Sequence, residues 1–221
     1  MAERLRVVLA SQSRSRRVML EQAGLAFDVM PSTVDEAALR ASFEPERALD
    51  EEYPVEVAEM LAAAKAVDVS VRLPDALVIG CDQVLALATE RRMEFGGKPW
   101  SAASYEIFEK PADPVAARAH LSRLRGRTHQ LHASVALAQG GEVQWTFTDS
   151  AELSMRDFSD DFLAQYLSRA GIRVCESVGA YQLEGLGVQL FEEISGDYFT
   201  ILGLPLLPLL EELRERGVLA T

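Results

Sequence analysis

Polar side chains follow the first predicted strand of the chain. Residues 5–10 are a short apolar run typical of a buried strand, and Ser11, Ser13, Arg16 and Arg17 come after it, at the start of a predicted helix. Free amides at a helix start and guanidinium groups both bind anions. This pattern fits a phosphate cradle, or, more plainly, a helix cap beside a solvated face.

A carboxylate follows the most apolar segment. Residues 76–80 are bounded by Pro74 and Gly80, and they predict a central strand buried on both faces, with Asp82 at its carboxyl end. In open α/β sheets, ligands bind near the carboxyl ends of strands. A carboxylate among apolar residues is costly unless it is paired or bound to a metal, although a turn or cap aspartate is the ordinary alternative.

Other charged residues have two interpretations each. Glu36, in an acidic stretch, is either part of a solvated loop or a magnesium ligand. Lys65, on a predicted helix over residues 55–69, would ordinarily be a surface lysine. Lys98 and Lys110 each precede a proline, which holds the chain extended and could aim an ammonium group at a ligand.

The predicted elements that must position these groups alternate between strands and helices. Helices are predicted over residues 14–23, 55–69, 114–124, 159–171 and 206–216, and a hairpin turns at Gly140-Gly141. Residues 88–108 contain Gly96-Gly97 and Pro99, and we predict an irregular surface excursion there that could cover a cleft. The alternation predicts an α/β protein with a mixed sheet.

Composition narrows the function classes. The 221 residues carry a net charge of −12, which disfavours nucleic-acid binding because phosphate backbones need a basic surface. The chain has no apolar run of membrane-spanning length, and its first residues lack a secretory pattern, so we expect a cytoplasmic protein without membrane contact. Two reduced thiols are expected at Cys81 and Cys175. The three histidines lack a metal spacing, and we expect them to be exposed or hydrogen-bonded: His120, His129 and His132.

Nine short blocks along nearly the whole chain resemble the Maf family in order and spacing. They are Leu9-Ala10-Ser11-Gln12-Ser13, Val34-Asp35-Glu36, Ala64-Lys65-Ala66, Val78-Ile79-Gly80-Cys81-Asp82-Gln83, Lys110-Pro111, Gly126-Arg127-Thr128-His129, Gly179-Ala180-Tyr181-Gln182, Gly196-Asp197-Tyr198 and Gly203-Leu204-Pro205. The resemblance implies a mixed twisted sheet flanked by helices with a deep cleft, as in inosine-triphosphate pyrophosphatases. One domain over residues 1–221, with two lobes around that cleft, is expected.

The resemblance also implies an activity, the hydrolysis of a nucleoside triphosphate, standard or modified, to the monophosphate and pyrophosphate with a divalent metal (Mg²⁺, Mn²⁺ or Co²⁺). Glu36 and Asp82 match the family's acidic residues at the metal and the attacking water, and Lys65 and Lys110 match its phosphate-binding lysines. Those four residues form the expected catalytic set. The expected substrate-binding set is Ser11, Ser13, Arg16, Arg17, Gln83 and Gln182.

The chain departs from the family pattern after the first serine pair. Where the family has Ser-Pro-Arg-Arg, Arg14 replaces the proline and Ser15 the first arginine, so Arg14 or Arg17 could supply the missing charge beside Arg16. The segment 88–108 is longer than the family norm. Gln83 resembles the branches of the family that have no threonine at this position, but this residue does not indicate which nucleobase is preferred.

A function from another class stays open at this point. A nucleotide-binding regulator linked to cell division would bind triphosphates without hydrolysing them, although pure binding does not need a carboxylate that activates water. The sequence leaves the base, the metal and the oligomeric state open, and a homodimer is the common expectation for such enzymes.

Overall fold

The computed structural model describes residues 5–43, 45–95 and 98–220, with the backbone alone at 45–46, 93–95 and 98–100. Its strands in chain order are β1 (Val7–Leu9), β2 (Asp28–Val29), β3 (Leu77–Phe95), β4 (Lys98–Phe108), β5 (Thr128–Gln139), β6 (Glu142–Met155) and β7 (Phe191–Ser195). Its α-helices are α1 (Arg14–Gln22), α2 (Glu36–Arg40), α3 (Tyr53–Arg72), α4 (Pro114–Leu124), α5 (Asp160–Ala170), α6 (Tyr198–Ile201) and α7 (Leu206–Glu215). Short 3₁₀ helices cover Pro45–Leu49, Gly171–Cys175, Val178–Ala180 and Leu186–Leu190.

The strands form one mixed sheet in the order β2-β1-β3-β5-β6-β7, with β4 also paired to β3. The β2-β1 and β1-β3 pairs are parallel, and the other pairs are antiparallel. Helices flank this sheet, so the α/β class and the mixed sheet predicted from the sequence are confirmed.

Strand β3 has a gap along one of its edges. On one edge it pairs with β5 continuously from Val78 to Ala86. On the other edge, β1 pairs only with residues 77–79 and β4 only with residues 85–95. Within the described pairings, residues 80–84 therefore have no strand partner on that edge, and a ligand can approach the sheet there.

Helix α3 packs very closely on one face of the sheet. The apolar side chains of α3 meet β1, β3 and β5 in one cluster, with Ala62, Ala66 and Val69 fully buried. A Cβ added at Gly80 would lie 2.2 Å from the carbonyl oxygen of Ala62, so only glycine permits this approach. The opposite face is covered by α1 and α7, whose buried residues share a second apolar cluster with Ile79.

Most elements lie where the sequence predicts them. Helix α1 begins after Ser13, whose hydroxyl accepts the amide of Arg16, and Gly24 beyond its end has a positive φ of 76°. The predicted hairpin at Gly140-Gly141 joins β5 to β6, and helices α3, α4 and α5 cover the predicted segments.

Two predictions about β3 are wrong. The segment 88–108 is a regular antiparallel hairpin of β3 and β4 over its described residues, because backbone pairing needs no apolar alternation. Asp82 does not end a strand either, since β3 continues through it to Phe95. Asp82 nevertheless faces the cleft, because it lies in the gap on the edge of β3.

Candidate active site

A large cleft opens at the gap in the edge of β3. Its volume is about 1260 Å³, above the usual range for a site that encloses a small ligand. Its lining includes the turn after β1, α1, α2 and the segment after β4, called the first wall, together with residues within 173–184, called the second wall, and residues within 198–202. The cleft therefore has room for a nucleoside triphosphate.

The lysine at the base of the cleft joins two carboxylates. The Nζ of Lys65 lies 2.6 Å from Oδ1 of Asp82 and 2.7 Å from Oε1 of Glu36. Lys65 and Asp82 are both buried, at 8% and 4% exposure, whereas Glu36 keeps contact with solvent. Within the described residues, Oδ2 of Asp82 is buried without a hydrogen-bond partner. An oxygen of this kind is available to a water or a cation.

A second cation holds Glu36 from outside. Arg40, one turn later on α2, contacts Glu36 at 3.3 Å and Glu109 at 3.2 Å. Burial acts to raise the pKa of Glu36, but the ammonium of Lys65, helped by the charges of Arg40 and Lys110, holds that pKa below its usual value. Glu36 is therefore ionised at neutral pH, as a metal ligand must be.

Lys110 lies in the same electrostatic neighbourhood. Burial lowers its pKa, and the positive charges of Arg16 and Lys65 lower it further, against the opposing effect of Glu36 and Asp82. In the described part of the chain, Lys110 makes no ion pair within 4.0 Å, so its ammonium is available for a ligand. The structure places all four residues of the expected catalytic set in the lining of one cleft, and their catalytic roles stay a prediction.

Arg16 is anchored by main-chain oxygens. Its Nε donates to the carbonyl of Gly203 at 2.8 Å, and its Nη1 donates to the carbonyl of Cys81 at 2.9 Å and to Oγ of Ser11 at 3.4 Å. Ser11 in turn accepts the amide of Ser13 at 3.2 Å. Arg16 thus ties the turn after β1 to β3 and to the C-terminal segment, and all three side chains line the cleft.

The structure separates the other two arginines of α1. Arg14 lines the cleft, on the same helix face as Val18 and Gln22. Arg17 does not line it, because its side chain points outward and pairs with Glu21 at 3.0 Å. The alternative supply of charge from Arg14 is thus supported by its position, whereas Arg17 is not brought to the site.

The two predicted glutamines lie in the lining of the cleft but are held differently. Gln83 donates from Nε2 to the carbonyls of Thr200 and Ile201, at 3.1 and 2.9 Å, and so attaches the end of α6 to β3. Gln182 lies on the second wall beside Tyr181, within the segment that follows the 3₁₀ turn Val178–Ala180. Because the amide of Gln83 is engaged by these carbonyls, Gln182 is the better candidate of the two to contact a base.

None of the histidines lies in the cleft lining. His129 and His132 are buried and hydrogen-bonded, to Tyr181 at 2.7 Å and to Ser150 at 2.8 Å, and burial lowers the pKa of each to about 4. His120 is half-buried against the ring of Phe108. The two cysteines are free thiols, and burial raises the pKa of Cys81 to about 11, with a minor contribution from Asp82 against the lowering effect of Arg16 and Lys65.

The donor set fits a hard divalent cation that is completed by substrate. No group of three His, Cys, Asp or Glu side chains converges within the described residues. Mg²⁺ commonly binds through one or two carboxylates, with phosphate and water oxygens filling its other positions. Glu36 and the free Oδ2 of Asp82 are suited to this arrangement, since both belong to the cleft that would hold a triphosphate.

Comparison with known proteins identifies the family. The Maf-like protein family profile matches residues 6–216. This chain belongs to the Maf family. A 7-methyl-GTP pyrophosphatase of Rhizobium etli is 47% identical over 214 residues, 97% of this chain and 98% of the relative. A nucleoside triphosphate pyrophosphatase of Paramagnetospirillum magneticum is 49% identical over 212 residues, 96% and 99% of the two chains. A 7-methyl-GTP pyrophosphatase of Brucella abortus is 45% identical over 210 residues, 95% and 96%.

Sequence reasoning missed several groups of this Maf site. Arg40 and Glu109 were not singled out, although Arg40 lies four residues after Glu36 in a short helix, where side chains meet. The aromatic residues Tyr198 and Phe199 line the cleft through a turn that brings residues 198–202 against β3. Only the folded chain reveals that turn, because the partners of Gln83 are more than a hundred residues away.

No helix among the described residues has both the length and the apolar character needed to cross a membrane.

Proposed function

We propose that this protein hydrolyses a nucleoside triphosphate to the nucleoside monophosphate and pyrophosphate. The observation that carries the proposal is the buried ammonium of Lys65 between Asp82 and Glu36, with Oδ2 of Asp82 left without a partner in the cleft lining. Structural ion pairs normally satisfy both carboxylate oxygens when they are buried. The names of the relatives in the Maf family support the same reaction.

In the proposed mechanism, the triphosphate lies beside the start of α1. The free amides and the positive end of the helix dipole face its phosphates, with Arg14 and Lys110 as the mobile cations of the cleft. Lys65 is already engaged by two carboxylates, so its main effect is to hold Asp82 and Glu36 in place. Arg16 maintains the shape of the turn after β1 through its hydrogen bonds to the carbonyls of Gly203 and Cys81.

Asp82 orients a water through Oδ2 and accepts its proton as the water oxygen bonds to the α-phosphorus. The bond between that phosphorus and the bridging oxygen breaks, and its electron pair leaves with pyrophosphate. Lys110 and Arg14 then stabilise the charge that develops on the leaving group. A divalent cation held by Glu36 and Asp82 would neutralise phosphate charge and polarise the attacked group.

The substrate class includes modified nucleotides. Relatives at 45–47% identity are named for 7-methyl-GTP, whereas another at 49% is named for nucleoside triphosphates in general. We therefore include 7-methyl-GTP with UTP, dTTP and CTP as candidates. The proposal also includes a cytoplasmic location, a homodimer and no nucleic-acid partner, the last supported by the net charge of −12.

The test incubates purified protein and Mg²⁺ with each of the four triphosphates and measures pyrophosphate, phosphate and monophosphate. We expect equal amounts of pyrophosphate and monophosphate, and loss of both products with EDTA that Mg²⁺, Mn²⁺ or Co²⁺ restores. Release of single phosphate would indicate a phosphatase instead. Tight binding without any product would favour the alternative, a nucleotide-binding regulator of cell division.

The Asp82→Asn variant tests the role of the carboxylate. We expect turnover to fall about a hundredfold or more, the usual size of general-base assistance, while the circular dichroism spectrum is unchanged. The Arg17→Gln variant is the matched control, because Arg17 lies outside the cleft, and its turnover should equal that of the wild type. Near-normal turnover of Asp82→Asn would exclude the mechanism.

A further inference from the structure

The second wall of the cleft contains a short loop with a costly backbone conformation. This loop, residues 177–182, contributes Ser177, Val178, Tyr181 and Gln182 to the lining. Ala180 has a φ of +62°, in the left-handed region that residues with a Cβ rarely adopt. It is the sole residue other than glycine with a positive φ among those the structure describes. Strain of this kind persists only where surrounding contacts impose it.

Three hydrogen bonds impose the conformation of this loop. The hydroxyl of Tyr166 donates to the carbonyl of Ala180 at 3.1 Å, and Oγ of Ser177 donates to the carbonyl of Tyr181 at 2.5 Å. The hydroxyl of Tyr181 is hydrogen-bonded to Nε2 of His129 at 2.7 Å. The third bond joins the loop to β5, in the rigid sheet, whereas the other two join it to α5 and to itself.

The bond between His129 and Tyr181 lies in an apolar, closely packed region. His129 is 1% exposed and Tyr181 is 4% exposed, and the Tyr181 ring packs edge-on against Phe191 at 4.8 Å. A Cβ added at Gly179 would lie 2.6 Å from both Leu85 and the Tyr181 ring, so the loop packs closely against β3 at this position. Burial lowers the pKa of His129 to about 4, and the pair is therefore neutral at physiological pH.

We propose that His129 and Tyr181 are positioning residues whose hydrogen bond holds the strained loop 177–182 in place, so that this loop determines which nucleobase the cleft accepts. The inference rests on the proposed function. The groups assigned to phosphate and water are charged, whereas loop 177–182 contributes only uncharged side chains to the same cleft lining, so this loop is suited to the base of a bound nucleotide. Gln182 follows Tyr181 directly, so the hydrogen bond that holds the Tyr181 ring also restricts the backbone from which the Gln182 side chain extends.

The test compares kcat and KM for UTP, dTTP, CTP and 7-methyl-GTP in the wild type and in Tyr181→Phe, which removes one hydroxyl and keeps the ring. We expect the ratio of kcat/KM between the best and the next-best nucleotide to fall about tenfold, the effect of one lost hydrogen bond. The loss should appear mainly as a higher KM for the best nucleotide. His129→Leu should behave in the same way, and His129→Gln, which retains a hydrogen-bonding group, should recover part of the ratio.

Ser150→Ala is the matched control, because it removes the hydroxyl bound to His132, also on β5, and neither residue lines the cleft. It should lower the melting temperature without changing the ratio. If Tyr181→Phe and His129→Leu lose stability but keep the wild-type ratio within about twofold, the pair only supports the fold and the inference is wrong. If His129→Leu does not fold, Tyr181→Phe alone decides. Absence of pyrophosphate from the wild type with every nucleotide would instead refute the proposed function.

Discussion

Replacing Lys65 by methionine should destabilise the protein more than replacing Asp82 by asparagine. The ammonium of Lys65 contacts both carboxylates, Asp82 at 2.6 Å and Glu36 at 2.7 Å. Without it, Asp82 is a charge at 4% exposure with neither oxygen bonded to a protein group. Glu36, at 40% side-chain exposure, can regain water, so its share of the loss is small.

The expected magnitudes follow from this asymmetry. Removing one partner of a buried ion pair costs about 3–5 kcal/mol, and we expect about 3 kcal/mol for Lys65→Met. Asp82→Asn keeps an acceptor for Lys65, and Glu36 still balances the ammonium, so we expect about 1 kcal/mol. The double variant should be more stable than Lys65→Met alone, because the unpaired buried charge is gone.

Urea unfolding at pH 7, followed by far-ultraviolet circular dichroism, measures these free energies in the wild type and the three variants. Equal losses for the two single variants, or a double variant whose loss is the sum of the two, would show that Asp82 is hydrated in solution and would refute the reasoning. As a control, the slope of the unfolding free energy against urea concentration should be the same in all four proteins, because equal slopes indicate comparable unfolded states.

Three other expectations can be measured by the same urea unfolding experiment on further variants. Arg16→Ala, which loses three hydrogen bonds, should lower both the unfolding free energy by about 3 kcal/mol and the rate of pyrophosphate release, whereas Arg17→Ala should change stability by under about 0.5 kcal/mol; equal effects would contradict the distinction. Gly80→Ala should cost about 3 kcal/mol in urea unfolding, since its Cβ would meet the backbone of Ala62, and a neutral result would mean that α3 lies farther from the sheet. The pKa of His129 is about 4 in the folded state and higher when unfolded, so the unfolded chain binds more protons and stability falls as the pH drops from 6.5 towards 4, by up to about 1.4 kcal/mol per pH unit. His129→Gln should therefore show a weaker dependence on pH than the wild type in that window, and identical slopes would show that the ring is not buried.

The sequence predicted those parts of the site that depend on chain-local patterns. The cap of α1 could be predicted because the Ser13 hydroxyl accepts the amide of Arg16, only three residues later in the chain. The apolar run before Asp82 was correctly interpreted as a buried strand, but its end was not, because β3 continues by pairing its backbone with β4. Polar residues such as Glu90 and Arg91 gave no apolar alternation there, and the alternation is the signal on which strand prediction relies.

The arginines of α1 illustrate what local patterns cannot decide. Arg14 and Arg17 are three residues apart at the start of the same helix, and both were open alternatives beside Arg16. The structure orients Arg14 into the cleft and Arg17 towards Glu21, because the apolar face of α1, including Met19 and Leu20, sets the rotation of the helix on the sheet. Similarly, the phosphate-binding role of Arg16 stays a prediction, and the carbonyls of Gly203 and Cys81 that hold its side chain belong to segments that come together only in the fold.

Asp82 and Gln83 are neighbours in one extended strand, so their side chains point to opposite sides of the sheet, towards Lys65 of α3 and towards the carbonyl of Ile201 at the end of α6. A single residue inserted between 80 and 82, with the pairing of residues 77–79 kept, would exchange these directions, with a carboxylate against carbonyl oxygens and an amide against an ammonium. Insertions and deletions are therefore compatible with the far end of the β3-β4 hairpin, beyond the section of β3 that pairs with β5. They are not compatible with residues 80–84. Any redesign of the enzyme therefore has to preserve the strand register of residues 80–84 more than their composition.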